Sequence, residues 1–445
     1  MSHPVNRIET FQALVDGLRI AIRAPEQFTF SYNAEDSTFI RFNHARVRQA
    51  GQVCQAVAVL KLINDGRQAD LQLTLSGEPQ VDQQRLVDAL AQLREILPLV
   101  PADPYLQLNT EPWQRSTVQD HPLPESAAVV ERIAAIAGDT DLVGIYAAGP
   151  VSRGFASSCG AFGWHQANSF NLDWSLFHAN GQAIKANYAG LEWDDARFEQ
   201  RLLQTHEQLA FLGRPLKALE PGHYRAYLAP AALDEIIGML GWGGFSAQSI
   251  ATKSSPLQRL YAGDNALSPQ VSMAEQVTGS LSPAFSSEGF VRADLTLIDA
   301  GKARDRLVSS RSAAEYQRAG NGADAYESPS ALSMAGGDLP LAQVLQRLGT
   351  GLYISNLWYL NYSDQPAARM TGMTRFATFW VEDGEINAPV NTMRFDDSVY
   401  SLLGTQLEAL TVERELILST STYGERQTSS THLPGALLSR LTLTL

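Results

Sequence analysis

The 445-residue sequence predicts an α+β protein, with a mixed N-terminal region of helices on antiparallel strands followed by a β-rich C-terminal domain. Three observations carry this. Apolar and polar residues alternate over 28–53, 55–64, 68–75 and 142–191, and the chain is strand-rich again from about 340 to its end. Helical spacing appears in separate segments at 5–23, 79–97, 126–138 and 193–212. The character of the chain then changes near Pro221-Gly222, where the main domain boundary is placed.

The elements follow in order. In the first helix Ile8, Phe11, Leu14, Val15, Leu18 and Ile22 recur at one-turn spacing. Residues 28–53 read as a strand pair broken by Asn33-Ala34-Glu35-Asp36, and 55–64 and 68–75 as two strands joined at Asp65-Gly66. A helix on Val81, Leu86, Leu90, Leu93 and Ile96 follows, then a proline-rich linker at 98–114. The division expected is an α+β domain at 1–115, a strand-rich region at 116–219 and a β-rich domain at 220–445. Within the last, 222–229 is a strand. Pro230 opens a helix, where its missing N–H costs nothing, and that helix runs to about Leu240 and ends in glycines. Residues 252–340 read as loop-rich.

The bulk properties exclude several classes. A net charge of −13 without any Lys/Arg run argues against nucleic-acid or anionic-membrane binding. No stretch of 18 apolar residues is present, and the charged N-terminus is not a signal peptide, so a cytoplasmic protein is expected. Cys54 and Cys159 read as two partly buried thiols in a reducing compartment.

No common catalytic motif appears. There is no G-x-S-x-G elbow, and Gly301-Lys302 lacks the rest of a phosphate-binding loop. The glycines at 241, 243 and 244 follow a helix, not a strand, so they do not form a dinucleotide loop. His206-Glu207 on a helix invites comparison with zinc sites, but the residues one turn on are Ala210 and Phe211, so the pair reads as solvated surface. His165 and His178, on strands, read as core or surface residues.

Five segments, in order, resemble the TldD/PmbA peptidase family: STFIRFNHARVRQAG (37–51), LEPGHYRAYLAP (219–230), SSEGFVRADLTLIDAGK (286–302), GTGLYISNL (349–357) and FWVEDGEINAPV (379–390). Active subunits of that family carry His-Glu-x-x-x-His on the helix after the entering strand, with a Cys near the C-terminus completing a zinc site. Matched on Gly241-Trp242-Gly243, those positions here are Ile237, Gly238 and Trp242, and the Cys position falls at Tyr423. No His, Cys or carboxylate lies between Ile236 and Ile250. Ile and Trp donate no electron pair to zinc and nothing there can deprotonate water, so the family's metal mechanism has no residues to run on. The family's S-R-G-A-S-G-F-W becomes Met373 to Trp380, with Phe376 inserted and glycine lost, which points to a divergent branch.

The resemblance thus implies the metal-free, TldE/PmbA-like subunit of a zinc-dependent peptidase heterodimer. This chain would carry no cofactor, zinc would sit in a TldD-like partner bearing His-Glu-x-x-x-His, and a peptide or unfolded chain would be the substrate. The alternative is a stand-alone homodimeric peptide-binding or modulator protein. The strand expected over 349–362 supplies the peptide-binding candidates Gly349, Gly351, Tyr353, Ser355 and Asn356, because a glycine-flanked strand edge can pair with an extended peptide. A central structural strand is the competing reading. Trp242, Phe245 and Tyr423 are expected to fill the space of the lost metal, and Phe379 and Trp380 to be core.

Overall fold

A computed structural model describes residues 7–445. The N-terminal half is one seven-stranded sheet carrying four helices on one face. Its strands are β1 (Gln27–Asn43), β2 (Arg46–Asn64), β3 (Arg67–Leu75), β4 (Gln114–Gln119), β5 (Asp141–Ser157), β6 (Phe162–Phe177) and β7 (Ala183–Gly190). The order is β3-β2-β1-β5-β6-β4, with β7 also on β6; every pair is antiparallel except β4 with β6.

The period-2 rule explains the layering. Phe28, Phe30, Tyr32, Ala34, Ile40 and Phe42 alternate along β1 and are buried. The first four pack with helices α1 (Arg7–Ala21) and α2 (Pro79–Ile96). Ile40 and Phe42 pack with α3 (Ser126–Ala137) and α4 (Asp195–Phe211).

Two sequence expectations change here. Asn33 to Asp36 do not break the first strand pair; the turn is at His44-Ala45, both at positive φ. The polar run stays in the strand because its groups are satisfied: Glu35 accepts from Ser37 and Gln55, and Arg7 pairs with Asp36. In addition, β1 pairs with β5, so segments 1–115 and 116–219 share one sheet. Residues 5 and 6 of the first expected helix lie outside the described residues.

The second half enters through β8 (Gly222–Leu228) and α5 (Pro230–Leu240). Short helices α6 (Ala247–Ala251) and α7 (Gln258–Ala262) precede β9 (Met273–Glu275), β10 (Leu295–Asp299) and β11 (Lys302–Ala303). Then come α8 (Ser310–Glu315), β12 (Ala331–Met334), α9 (Val344–Leu348), β13 (Gly351–Ile354), β14 (Trp358–Asp364), β15 (Arg369–Met373), β16 (Thr378–Glu382), β17 (Glu385–Pro389), β18 (Arg394–Ser398), β19 (Leu407–Leu418) and β20 (Ser430–Leu443). They form a mixed sheet with main order β11-β10-β9-β12-β20-β8-β13-β16-β17. Its core is the apolar face of α5 with the strands beneath it, including Leu233, Ile236, Leu240, Leu352 and Leu438. No helix among the described residues is long and apolar enough to cross a membrane.

Several contacts hold the C-terminal half against the first half of the chain. Asn109 and Trp113 donate to the Gly289 carbonyl. His165 Nε2 lies 2.9 Å from the Leu281 carbonyl. Arg426, 6% exposed, reaches between strands of the first sheet, donating to the Gly149 and Ser169 carbonyls at 2.9 and 3.0 Å.

Candidate functional site

Helix α5 forms as its sequence dictates. Pro230 occupies its first turn, Leu233, Ile236, Ile237 and Leu240 sit on the buried side, and Gly241 closes it. The helix does more than fill the core. Asp234, Glu235, Ile237, Gly238, Gly241 and Trp242 line a cavity of about 1040 Å³ between the two halves of the chain. Strands β6 and β7 and helix α4 supply one wall, and β8, α5, β13 and β19 the other.

The positions matched to the family zinc site separate. Ile237 is 1% exposed, whereas Trp242 is 69% exposed and stands at the cavity. Tyr423 is 97% exposed and does not line it; Ser419, Thr420 and Ser429 to Thr431 come to the cavity instead. Of the three residues expected to fill the metal's place, only Phe245 is buried. The reason is the loop after β19, which is tied down by Arg426 and leaves Tyr423 beyond the anchored segment.

The residues do not fit zinc. Ile237 offers only carbon, Gly238 has no side chain, and the indole N–H of Trp242 is a donor without a lone pair for metal. Among the described residues no group of three or more His, Cys, Asp or Glu is placed to hold a metal ion.

The peptide-binding candidates also divide. Tyr353, Ser355 and Asn356 line the cavity, while Gly349 and Gly351 do not. The run 349–362 is two strands, β13 and β14, interrupted at Ser355–Leu357. β13 is bonded to β8 on one side and β16 on the other, so it has no free edge for an added strand. Gly351 is required by packing within the sheet: a Cβ there would overlap the Arg225 carbonyl. The route left to this segment runs through side chains. The Tyr353 ring lies tilted at 5.4 Å from that of Tyr227, and the Asn356 amide, turned with its nitrogen toward the other half of the chain, donates to the Lys185 carbonyl at 3.2 Å.

Residues the sequence reading did not single out complete the lining. Arg201 of α4 makes a bidentate pair with Glu415 of β19, joining the two halves. Burial opposes the Arg201 charge, and Glu415 holds it in place. Lys185 pairs with Asp173 at 3.5 Å, whose carboxyl burial pushes up. Asp234 is likewise raised by burial, against the hydrogen bond it accepts from Thr431 Oγ1 at 2.6 Å. Glu235 is raised by burial and by its neighbour Asp234. Of the His206-Glu207 pair expected at the surface, Glu207 is exposed and lines the cavity, whereas His206 is half-buried and its Nε2 has no hydrogen-bond partner among the described residues.

Other expectations meet the side chains as follows. His165 is 3% exposed, Phe379 is core, and Trp380 is half-buried beneath Lys217 Nζ, 4.0 Å from its ring. Cys54 is exposed rather than partly buried because it lies where β2 runs beyond its neighbour β3.

The family profile described as the PmbA/TldA metallopeptidase C-terminal domain matches residues 221–445. No curated protein matches. Among solved structures, TldE from Thermococcus kodakarensis aligns with a TM-score of 0.79 at 15% identity, covering 98% of this chain and 100% of that one. A proposed modulator of a DNA gyrase from Thermotoga maritima gives 0.77 at 15% identity, covering 99% and 100%. A proposed modulator of DNA gyrase from Bacteroides thetaiotaomicron gives 0.76 at 14% identity, covering 99% of each. These likenesses establish the fold along the whole chain, and the profile, covering half of it, establishes the kinship: the chain belongs to the PmbA/TldD metallopeptidase family.

Proposed function

We propose that this chain is the non-catalytic, TldE-like subunit of a cytoplasmic two-chain peptidase. A partner with His-Glu-x-x-x-His holds the zinc, and this chain helps enclose an extended peptide. One observation carries the reading. The helix on which the family places its metal ligands still borders a cavity of about 1040 Å³, yet it presents Ile237, Gly238 and Trp242 there. A Lewis acid and a base for water are both missing from those positions, while the space for a substrate is kept.

The cavity wall suits a peptide. It mixes apolar side chains such as Ile417 and Val344 with hydroxyls and amides such as Ser355 and Asn356. The likeness to TldE from Thermococcus kodakarensis supports the same placement. A second reading is a homodimeric peptide-binding modulator without peptidase activity. It is favoured by the likeness to two structures described as proposed modulators of DNA gyrase.

Metal content and turnover of the purified, untagged chain test the proposal. The expected result is far less than one zinc per chain and no peptide hydrolysis, with or without added zinc. Stoichiometric zinc that resists mild chelation, or hydrolysis by the chain alone, would overturn it.

A further inference from the structure

Trp242 is anchored through its backbone, but its ring is bare. It lines the cavity and is 69% exposed. Among the described residues its ring meets no other aromatic ring or cation, and its indole N–H has no acceptor. The other aromatic residues of the lining are engaged: Tyr227 and Tyr353 with each other, and Phe211 with Phe379 and beneath Arg214. The turn that carries Trp242 is fixed. Its N–H donates to the Met239 carbonyl at 3.2 Å, and Ser328 Oγ donates to the Gly241 carbonyl at 3.1 Å. An indole held in water on a fixed turn is a preformed contact surface, because an apolar group laid on it removes area from water and a ring adds stacking.

The second observation is Gly238, one turn before Trp242 and also exposed at the cavity. Residues four apart share one face of a helix. Glycine inside a helix lowers its stability relative to alanine, so its presence needs a reason. Nearby glycines have one: Gly243 is at φ +81°, and a Cβ on Gly244 would lie 2.3 Å from the Leu240 carbonyl. Gly238 has none within the fold. It lies inside α5, and beyond the helix's own backbone a Cβ there would meet no atom within 4 Å. The indole therefore does not roof this position. The bare backbone of Gly238 is the floor of an open slot, with Trp242 at its end.

We propose that this slot receives an aromatic side chain of the bound peptide, lying over Gly238 against the Trp242 indole. This rests on the reading that the cavity holds a peptide. Two surfaces select the occupant. A flat indole face and a floor without side chains suit a planar ring, whereas a small side chain would leave both uncovered.

Fluorescence anisotropy is measured on the whole chain with three labelled, N-acetylated hexapeptides of one alanine-based sequence, carrying a central Phe, Leu or Ala. The Phe peptide should bind about tenfold tighter than the Ala peptide, with the Leu peptide between them. In Trp242→Ala the Phe advantage should fall below about threefold, and Trp242→Phe should restore part of it. Gly238→Leu places its Cβ in open space and fills the slot, so it should also bring the advantage below about threefold. Its melting midpoint, read by circular dichroism, should not fall, which separates lost recognition from lost folding. Equal binding of the Phe and Ala peptides, or an unchanged Phe advantage in the folded variants, would overturn the subsite and leave peptide binding standing. A Leu peptide as tight as the Phe peptide would overturn the ring stacking. No binding of any peptide would overturn both this inference and the substrate role proposed above.

Discussion

His165 makes a sharp prediction about acid stability. The side chain is 3% exposed, its Nε2 lies 2.9 Å from the Leu281 carbonyl of the other half of the chain, and it is in register with Arg153 on β5. Burial, with the nearby Arg153 charge adding to it, lowers its pKa from 6.5 to about 4 against the opposing hydrogen bond to Leu281. A base depressed in the folded state is bound as its neutral form. Its contribution is therefore fully present above the unfolded value of 6.5 and is lost as pH falls toward 4. At ~1.4 kcal/mol per pH step, the loss approaches about 3 kcal/mol by pH 4. His165→Gln keeps an amide donor for Leu281 and removes the titration. Urea unfolding followed at several pH values between 7 and 4 gives the difference between the two proteins. That difference cancels the carboxylates common to both, such as Glu26 and Asp36, which are held low by Arg94 and, against burial, by Arg7. The wild-type chain should lose about 2–3 kcal/mol more than His165→Gln over this range. Parallel curves, agreeing within ~0.5 kcal/mol, would refute the reasoning.

Three further outcomes follow from packing. Gly351→Val should prevent folding of the second sheet or destabilise it by several kcal/mol, since its side chain would overlap the Arg225 carbonyl, and circular dichroism melts will read this directly. Gly435→Ala should cost about 1–3 kcal/mol because its methyl would overlap the Tyr227 hydroxyl and ring edge, and adding Tyr227→Phe, which leaves the ring carbons in place, should recover little of the loss in a double-mutant cycle. Glu415→Ala, leaving a half-buried Arg201 without its carboxylate between the two halves of the chain, should cost about 1–3 kcal/mol and increase proteolysis between them.

Most of the architecture was legible locally. Pro230, the spacing of Leu233, Ile236 and Leu240, and the closing glycines define α5 within one segment, and the alternation of Phe28, Phe30 and Tyr32 defines a strand with one covered face. Where reading failed, distant partners decided. Asn33 to Asp36 look like a turn until Glu35 meets Gln55 and Asp36 meets Arg7. The aromatic and glycine run at 349–362 looks like one strand with a usable edge until β8 and β16 take both sides of β13.

The site was legible on α5 and at Tyr353, Ser355 and Asn356. Asp234 and Glu235 stand three and two residues before the matched His position but were not singled out, and nothing in sequence joins them to Lys185, Arg201 or Glu415, which lie on other elements. Tyr423 was placed by register alone, and register fails in a loop whose path is set by Arg426 in the opposite sheet.

Reconstitution tests the central claim most directly. The chain is co-expressed with a His-Glu-x-x-x-His paralogue from the same organism, the mixture is resolved by size exclusion, and peptide cleavage is assayed across the fractions. The account predicts that the two chains co-elute and that zinc-dependent cleavage appears only where both are present. A paralogue fully active alone, with the two chains never co-eluting, would contradict it.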